Sequence, residues 1–291
     1  MKIYTTLPQD DLKKVPAAAI AAEDAGFDGL MGMENRHDPF LPLGVAATAT
    51  RRIGLLTGVA IAFPRSPMVM ANLGWDLQSA SDGRFVLGLG TQVRGHNERR
   101  FSVPWSAPGP RMREYIQALR AIWQCWKTGE KLQFEGKHYN FSLMTPAFVP
   151  EVMAAPPPAI TIGAVGPAML RVAAEMCDGV RLHPFCTKRY QENVVLPIML
   201  AGLEKAGRAR DGFEITGGGF IATGADEAAV EERLAWVRQR VAFYGSTRAY
   251  WPVLQEHGLE DLGLKLHAIV KDGKWQDLAD EITDDVLALF A

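Results

Sequence analysis

Residues 67–90, PMVMANLGWDLQSASDGRFVLGLG, contain one complete helix, turn and strand, and this unit decides the fold class. A helix is predicted for residues 67–81, the pair Asp82-Gly83 forms the turn, and the apolar run 84–90 forms the strand. The strand ends in G-L-G, but Val93 stands where a dinucleotide-binding G-x-G-x-x-G motif needs its third glycine. The stretch therefore favours a barrel strand over a dinucleotide-binding fold.

The same alternation of strand and helix continues along the chain. Largely apolar strands separated by helices are typical of a parallel sheet that helices cover. A small hairpin is expected within 130–141. The predicted strands are 2–7, 28–33, 53–60, 84–90, 159–164, 178–182 and 214–223, and the predicted helices are 10–25, 41–50, 67–81, 110–127, 166–176, 188–206 and 226–244. A (β/α)8 TIM barrel needs eight strands. The prediction is therefore a single α/β barrel domain over residues 1–291, lacking an eighth strand or truncated before it.

Composition excludes several classes of protein. The chain has 291 residues, 48% hydrophobic and 22% charged, with 31 Lys+Arg against 33 Asp+Glu and a formal net charge of -2. This balance argues against nucleic-acid binding, and no apolar run approaches the roughly 20 residues of a membrane span. No export signal is recognisable at the N-terminus. Three cysteines without C-x-x-C spacing indicate reduced thiols, so we expect a cytoplasmic protein.

The loop after the second predicted strand is rich in side chains that can carry protons. In barrels of this class the active site is built from loops at the carboxyl ends of the strands. Here that loop holds Glu34, Asn35 and His37. One interpretation is that these residues face substrate or cofactor and hold or move a proton. The alternative is a capping loop with a solvated charge cluster.

The third predicted strand contains Gly58, followed by Val59. A glycine within a strand indicates a bulge or the close approach of a ligand to the backbone. The alternative is a small residue that barrel packing requires.

The loop after the fourth predicted strand begins with Thr91 and Gln92 and carries three arginines. These are Arg94, Arg99 and Arg100, and His96 and Asn97 lie among them. Their position after a strand favours a site for an anionic group. A solvated surface face is the alternative.

The turn after the fifth predicted strand contains Gly163, Ala164, Val165 and Gly166, and Pro167 begins a helix. Small residues before a helix N-terminus are suited to a phosphate group, although a tight turn needs the same residues.

No metal site is predicted, because His37, His96 and His183 lack metal-ligand spacing. A G-x-S-x-G nucleophile motif is absent as well.

Taken in order, several stretches resemble the bacterial-luciferase-like superfamily, and within it the coenzyme F420-dependent oxidoreductases. The resemblance extends over nearly the whole chain. Its motifs are Ala25-Gly26-Phe27-Asp28-Gly29-Leu30, Arg52-Ile53-Gly54-Leu55, Ser81–Gly90, Gly163–Met169 and Cys177-Asp178-Gly179-Val180. The family's sugar-phosphate dehydrogenases have a histidine where this chain has Asn35, so that substrate is not carried over.

The resemblance implies a deazaflavin ring at the mouth of the barrel, backed by a non-proline cis peptide at Gly58–Val59. It also implies a homodimer and a small-molecule substrate. The cofactor-binding residues would be Gly58, Val59, Thr91, Gln92, Arg94, Asn97, Ala164, Val165 and Gly166, with the acidic tail of the cofactor near Arg94, Arg99 or Arg100. The candidate catalytic residues are His37, Glu34, Asn35 and His96, with His37 as the first choice.

The predicted function is hydride transfer between coenzyme F420 and a small organic substrate. The first alternative is an FMN-dependent luciferase-like monooxygenase, whose ring and phosphate sites would look alike. A non-catalytic flavin or deazaflavin carrier is the second, and a metal-dependent hydrolase is the third. The three arginines favour the deazaflavin, because its acidic tail needs basic residues outside the ring pocket.

Overall fold

The computed structural model describes residues 1–291. Its contacts divide the chain into two compact units. Unit 1 comprises residues 1–163 and 176–179, and unit 2 comprises residues 164–175 and 180–291. The single domain expected over residues 1–291 stays a prediction.

Parallel strands form the sheet of unit 1. The strands are β1 Tyr4–Thr6, β2 Gly29–Gly32, β3 Gly54–Thr57, β4 Ala60–Ile61, β5 Phe85–Gly90 and β8 Ala159–Ala164, the last ending at the border of the unit. Each strand pairs with the next in the order β1-β2-β3-β5-β8, and the short β4 pairs with β5. A separate antiparallel hairpin, β6 Phe134–Glu135 and β7 Asn140–Phe141, lies where a hairpin was expected. The predicted parallel sheet is confirmed for this unit.

Helices follow the strands of unit 1, and the apolar spacing predicted four of the five. They are α1 Val15–Asp24, α2 Phe40–Ala49, α3 Pro67–Ala80, α4 Arg94–Arg99 and α5 Pro108–Thr128. The long helix α5 buries a stripe of large side chains, including Tyr115 and Trp126, at helical spacing. It ends at Gly129, whose φ of 74° is the left-handed conformation that glycine adopts without a steric penalty.

Unit 2 contains most of the remaining helices and two neighbouring strands. The strands are β9 Gly179–Leu182, whose first residue belongs to unit 1, and β10 Glu214–Gly217. The helices are α6 Pro167–Met176, α7 Lys188–Tyr190, α8 Leu196–Lys205, α9 Glu227–Gly245, α10 Trp251–Gln255, α11 Glu260–Lys271 and α12 Asp284–Leu287. A π-helical segment, Gln191–Val195, joins α7 to α8.

Several elements differ from the sequence prediction. The helix expected over 10–25 begins only at Val15, after a 3₁₀ turn at Leu12–Lys14, and the helix expected over 188–206 contains the π-helical segment. The third strand, expected over 53–60, is interrupted after Thr57 and resumes at Ala60. The strand expected over 214–223 ends at Gly217, because three successive glycines adopt positive φ angles of 79°, 92° and 107°. The segment after β5, expected as a loop, forms α4. None of the helices is both long and apolar enough to cross a membrane.

Candidate active site

Three of the predicted site segments lie at one edge of the unit 1 sheet. Asn35 follows β2, Gly58 follows β3 directly, and Thr91 follows β5 directly. Because these strands are parallel and in register, their carboxyl ends meet at the same edge. Ala164 is the last residue of β8. The placement of the first three agrees with the common mouth that the sequence predicted.

The peptide bond Gly58–Val59 is cis, as predicted. It lies between β3 and β4, which accounts for the interrupted third strand. Val59 packs against small residues, since a Cβ atom added to Gly90 would lie 2.5 Å from Val59 Cγ2 and one added to Gly163 would lie 3.5 Å from Val59 Cγ1. A side chain on Gly58 would overlap Met31. The absence of a side chain at Gly90 therefore allows the close approach of Val59, whereas one at Gly58 would displace the flexible end of Met31.

Glu34 is held in a buried ion pair that sequence reasoning missed. Its Oε2 lies 2.8 Å from Arg65 Nη1, and the two side chains are 7% and 19% exposed, respectively. The same carboxylate oxygen accepts a hydrogen bond of 2.6 Å from the Ile61 backbone N–H. Glu34 therefore fixes the segment that follows the cis peptide, and its catalytic role stays a prediction.

Arg65 joins the loop after β2 to the segment after β4. Besides Glu34, it donates to Asp38 Oδ2 at 3.1 Å and to the Ile61 carbonyl at 3.0 Å. Burial by itself lowers the pKa of the Arg65 guanidinium, but the hydrogen bonds and charges of Glu34 and Asp38 outweigh it and raise the pKa. One sequence feature could have identified Arg65: it is the only charged residue between β4 and α3.

His37 and Asn35 are both exposed in the loop after β2. The Arg100 guanidinium donates a hydrogen bond of 2.6 Å to the Asn35 carbonyl, which ties this loop to the end of α4. His37 is left facing solvent, where its imidazole is accessible to a bound molecule. His96 is exposed as well, on α4.

Helix α4 brings the second group of predicted residues together. Asn97 is fully buried, and its amide donates to the carbonyl groups of Thr91 and Val93 at 2.9 and 3.2 Å. Asn97 Oδ1 is buried without a hydrogen-bond partner. Gln92 has a φ of 55°, and its side chain accepts a hydrogen bond from the Val93 N–H. Asn97 and Gln92 thus shape the turn between β5 and α4.

The three arginines of this segment have different surroundings. Arg94 pairs with Glu98 one helical turn later at 3.1 Å, and Arg100 is engaged by Asn35. Arg99 is exposed, and its guanidinium makes no hydrogen bond or ion pair within the protein. Of the three, Arg99 is the one with full capacity to bind an anion.

The predicted phosphate turn belongs to unit 2 except for Gly163. Ala164 is buried, and the Val165 carbonyl accepts a hydrogen bond of 3.0 Å from the Tyr190 hydroxyl. The Gly166 carbonyl accepts from the N–H groups of Met169 and Leu170 in the first turn of α6. Nothing lies within 4 Å of the position that a Cβ atom would take on Gly166. The turn is therefore open on that side.

His183 directly follows β9 in unit 2 and is half-buried. Its Nδ1 accepts a hydrogen bond of 3.0 Å from the Phe185 N–H. Burial lowers the pKa of this imidazole to about 4. His183 is therefore neutral at neutral pH, with its proton on Nε2.

The free energy of unfolding is expected to decrease by about 3 kcal/mol, through His183 alone, between pH 6.5 and pH 4. In that range the unfolded chain binds a proton at His183 that the folded protein excludes, so acid favours unfolding. Urea unfolding is measured at several pH values between 6.5 and 4. Over this range the free energy of unfolding should fall by about 3 kcal/mol more in the parent protein than in His183→Phe. The matched substitution His138→Phe, in the unit 1 hairpin loop, should leave the loss unchanged. Equal pH dependence of all three proteins would contradict the assignment.

A cavity of about 540 Å³ also lies within unit 1, but at the opposite edge of the sheet. Its lining includes Phe85 and Ala159, where β5 and β8 begin, together with the prolines at 156–158. In barrels this amino edge contributes to stability and the carboxyl edge to chemistry.

No group of three or more His, Cys, Asp or Glu side chains is arranged to hold a metal ion.

Comparison with known proteins identifies relatives over the whole chain. A family model described as luciferase-like monooxygenase matches residues 2–291. An uncharacterised protein of Mycobacterium tuberculosis is 47% identical over 291 residues, which is 100% of this chain and 85% of the relative. A 5,10-methylenetetrahydromethanopterin reductase of Archaeoglobus fulgidus is 31% identical over 282 residues, covering 93% of this chain and 79% of the reductase.

Solved structures show the fold class. The coenzyme F420-dependent tetrahydromethanopterin reductase of Methanopyrus kandleri has a TM-score of 0.79 at 21% identity, covering 100% of this chain and 85% of that one. The oxygenating constituent of 3,6-diketocamphane monooxygenase from Pseudomonas putida, in complex with FMN, has a TM-score of 0.62 at 15% identity. The match covers 90% of this chain and 77% of that one. The fold class is thus the luciferase-like TIM barrel, which confirms the barrel that the strand pattern predicted and the family that the resemblance implied.

Proposed function

We propose that this chain, which belongs to the luciferase-like monooxygenase family, is an oxidoreductase that uses coenzyme F420 to move a hydride to or from a small organic substrate. When bound, the deazaflavin supplies the hydride chemistry, and the protein contributes orientation, charge and a proton. The relationship to reductases supports this proposal. The observation that carries the choice of cofactor is the arginine-bearing helix α4 at the carboxyl end of β5.

The arginines of α4 would bind the acidic tail of the deazaflavin. FMN has a phosphate but no such tail, so basic residues outside the phosphate turn favour the deazaflavin. Arg99 offers a guanidinium without an internal partner, and Arg94 can exchange its exposed pairing with Glu98 for a carboxylate of the ligand. An exposed ion pair of that kind contributes only about 0–1 kcal/mol, so the exchange costs little.

The remaining cofactor contacts would come from backbone and small residues. Ala164, Val165 and Gly166 would hold the phosphate at the N-terminus of α6, where free N–H groups favour an anion. The open space beside Gly166 fits this role. Gly58 and Val59 would contact the ring, and Thr91, Gln92 and Asn97 would line the turn beside it. His37 would hold the proton that the reaction needs.

An FMN-dependent monooxygenase is the second candidate function. The fold likeness to the Pseudomonas putida monooxygenase, solved with FMN, favours it. The phosphate turn fits FMN as well as it fits the deazaflavin.

Cytoplasmic location and a homodimer stay predictions, and so does the small organic substrate.

Replacing Arg94, Arg99 and Arg100 together with alanine is expected to weaken deazaflavin binding about tenfold or more, since each exposed charge contact contributes up to about 1 kcal/mol. FMN binding should change little, because FMN has no tail for these residues to contact. Equilibrium titrations followed by fluorescence, at low and at high salt, measure both affinities. The difference should shrink as salt rises.

The control for this experiment is Arg52→Ala, which removes one exposed arginine before the amino end of β3, at the other edge of the sheet. It should leave both affinities unchanged. Equal losses for deazaflavin and FMN in the triple variant would count against the deazaflavin assignment. A parent protein that binds FMN and not the deazaflavin would favour the monooxygenase.

A further inference from the structure

Three polar aromatic side chains of unit 2 lie together beside the end of β9. The ring centroids of His183 and Tyr244 are 4.3 Å apart, those of His183 and Tyr250 are 4.7 Å apart, and those of the two tyrosines are 5.3 Å apart. All three side chains are half-buried. We call them the aromatic triad. Each therefore packs against the protein and also reaches a surface that a ligand can contact.

The polar atoms at the edge of the triad are unused. His183 Nδ1 is occupied by the Phe185 N–H, which leaves the proton on Nε2 as a free donor. Neither tyrosine hydroxyl makes a hydrogen bond within the protein, in contrast to Tyr190 and Tyr115, whose hydroxyls bond to backbone carbonyls. Buried tyrosine hydroxyls usually have a partner. Half-buried rings with unused donors are thus suited to a ligand oxygen.

The triad itself carries no charge at neutral pH. Desolvation alone lowers the pKa of His183, and no charged side chain contributes to the change. For Tyr250, desolvation and then Tyr244 raise the pKa to about 12, again without a contribution from a lysine or arginine. A phosphate or carboxylate ligand would find no counter-ion among the three rings, and its desolvation against them would be unfavourable. An uncharged ligand would meet no such penalty.

We propose that the aromatic triad is a substrate-binding site for uncharged aromatic or cyclic carbonyl compounds, in which His183 Nε2 donates a hydrogen bond to the carbonyl oxygen. That the ligand is the substrate rests on the proposed oxidoreductase function. In this fold class, residues that contact substrate come from the carboxyl ends of several strands, and His183 directly follows β9. Tyr244 and Tyr250 supply flat apolar faces for a ring. The triad thereby favours uncharged rings over sugar phosphates.

Binding of three small probes of similar size tests the proposal. Acetophenone has a ring and a carbonyl, ethylbenzene lacks the carbonyl, and benzoate replaces it with a charge. Dissociation constants are measured by ligand-observed NMR on the full chain, with and without deazaflavin. The parent protein is expected to bind acetophenone about fivefold to tenfold more tightly than ethylbenzene, the usual contribution of one hydrogen bond. Benzoate should bind more weakly than either.

Variants separate the hydrogen bond from the packing. His183→Phe keeps a ring and removes the donor, so the preference for acetophenone over ethylbenzene should disappear. Tyr250→Leu should weaken both ligands together, and His138→Phe, in unit 1, should change nothing. Should His183→Phe fail to fold, the ¹⁵N signal of Nε2 in the parent protein serves instead, since acetophenone should shift it and ethylbenzene should not.

Two outcomes overturn the proposal: a parent protein without preference for acetophenone over both other probes, or a His183→Phe variant that keeps the preference. Because the probes are also measured without deazaflavin, failure of the deazaflavin to bind would contradict the proposed function and leave this result standing. A deazaflavin-binding protein that shows no probe preference would contradict only the aromatic triad.

Discussion

Replacing Arg65 with methionine is expected to lower the free energy of unfolding by about 3–5 kcal/mol. The substitution keeps an unbranched side chain but removes the guanidinium from a pair whose side chains are only 7% and 19% exposed. Glu34 would then hold a buried charge whose only remaining partner is the Ile61 N–H. Urea unfolding of parent and variant measures the difference.

The matched control is Arg94→Met, which breaks an exposed ion pair with Glu98. Its N···O distance of 3.1 Å is close to the 2.8 Å of the Arg65–Glu34 pair. Exposed pairs contribute about 0–1 kcal/mol, so this variant should unfold close to the parent. The double variant Arg65→Met, Glu34→Leu should be less destabilised than the sum of its single variants, because it leaves no buried charge at position 34, while Asp38 is 37% exposed and stays solvated. A loss in Arg65→Met no larger than that in Arg94→Met would show that the buried pair contributes little.

Replacing His37 with asparagine is expected to lower turnover about 10²–10⁴-fold while cofactor binding is retained. Hydride addition to a carbonyl leaves negative charge on the substrate oxygen, and a donor within hydrogen-bond reach must neutralise it. His37 is exposed in the loop after β2, at the edge where the cis peptide also lies. Its imidazole is therefore accessible for reprotonation by solvent.

His96→Asn, measured with the same substrate, ranks the second exposed histidine against the first. His138→Asn, in the hairpin loop, is the control and should turn over at the parent rate. Cofactor affinity is measured for each variant so that a loss of binding is not mistaken for a loss of proton transfer. If all three variants match the parent, the proton comes from another donor, such as bound water, His183 Nε2 or Glu34, whose carboxylate Arg65 and Ile61 already engage. If the parent protein and all variants bind deazaflavin but none of them shows turnover, the result would favour a non-catalytic carrier.

Local sequence patterns predicted most of the elements that position the site. Strand 159–164 was predicted with the bounds that the structure has, and helices 67–81 and 166–176 differ by one residue at one end. These segments combine uninterrupted apolar periodicity with glycine or proline at their ends. Helix α4 was missed because its sequence, Arg-Gly-His-Asn-Glu-Arg, is polar throughout and contains poor helix formers. It forms where the buried Asn97 side chain bonds back to the carbonyl groups of Thr91 and Val93.

The roles of individual site residues were harder to predict than their location. The sequence placed Glu34 and His37 in one loop with equal claims to carry a proton. Only the structure separates them, since Glu34 is bound to a residue 31 positions away and His37 faces solvent. The three arginines were also equivalent in sequence, yet one is paired with Glu98, one is tied to Asn35 and one is unengaged.

The sequence by itself determined the alternation of strands and helices, and with it which segments follow the carboxyl ends of the strands. That information is local, because periodicity, caps and turns depend on residues within a few positions of one another. Only the tertiary structure decided which side chains meet: Glu34 with Arg65, Arg100 with Asn35, Tyr190 with Val165, and His183 with two tyrosines more than 60 positions away. Such contacts depend on how distant segments pack, and no local pattern specifies their partners.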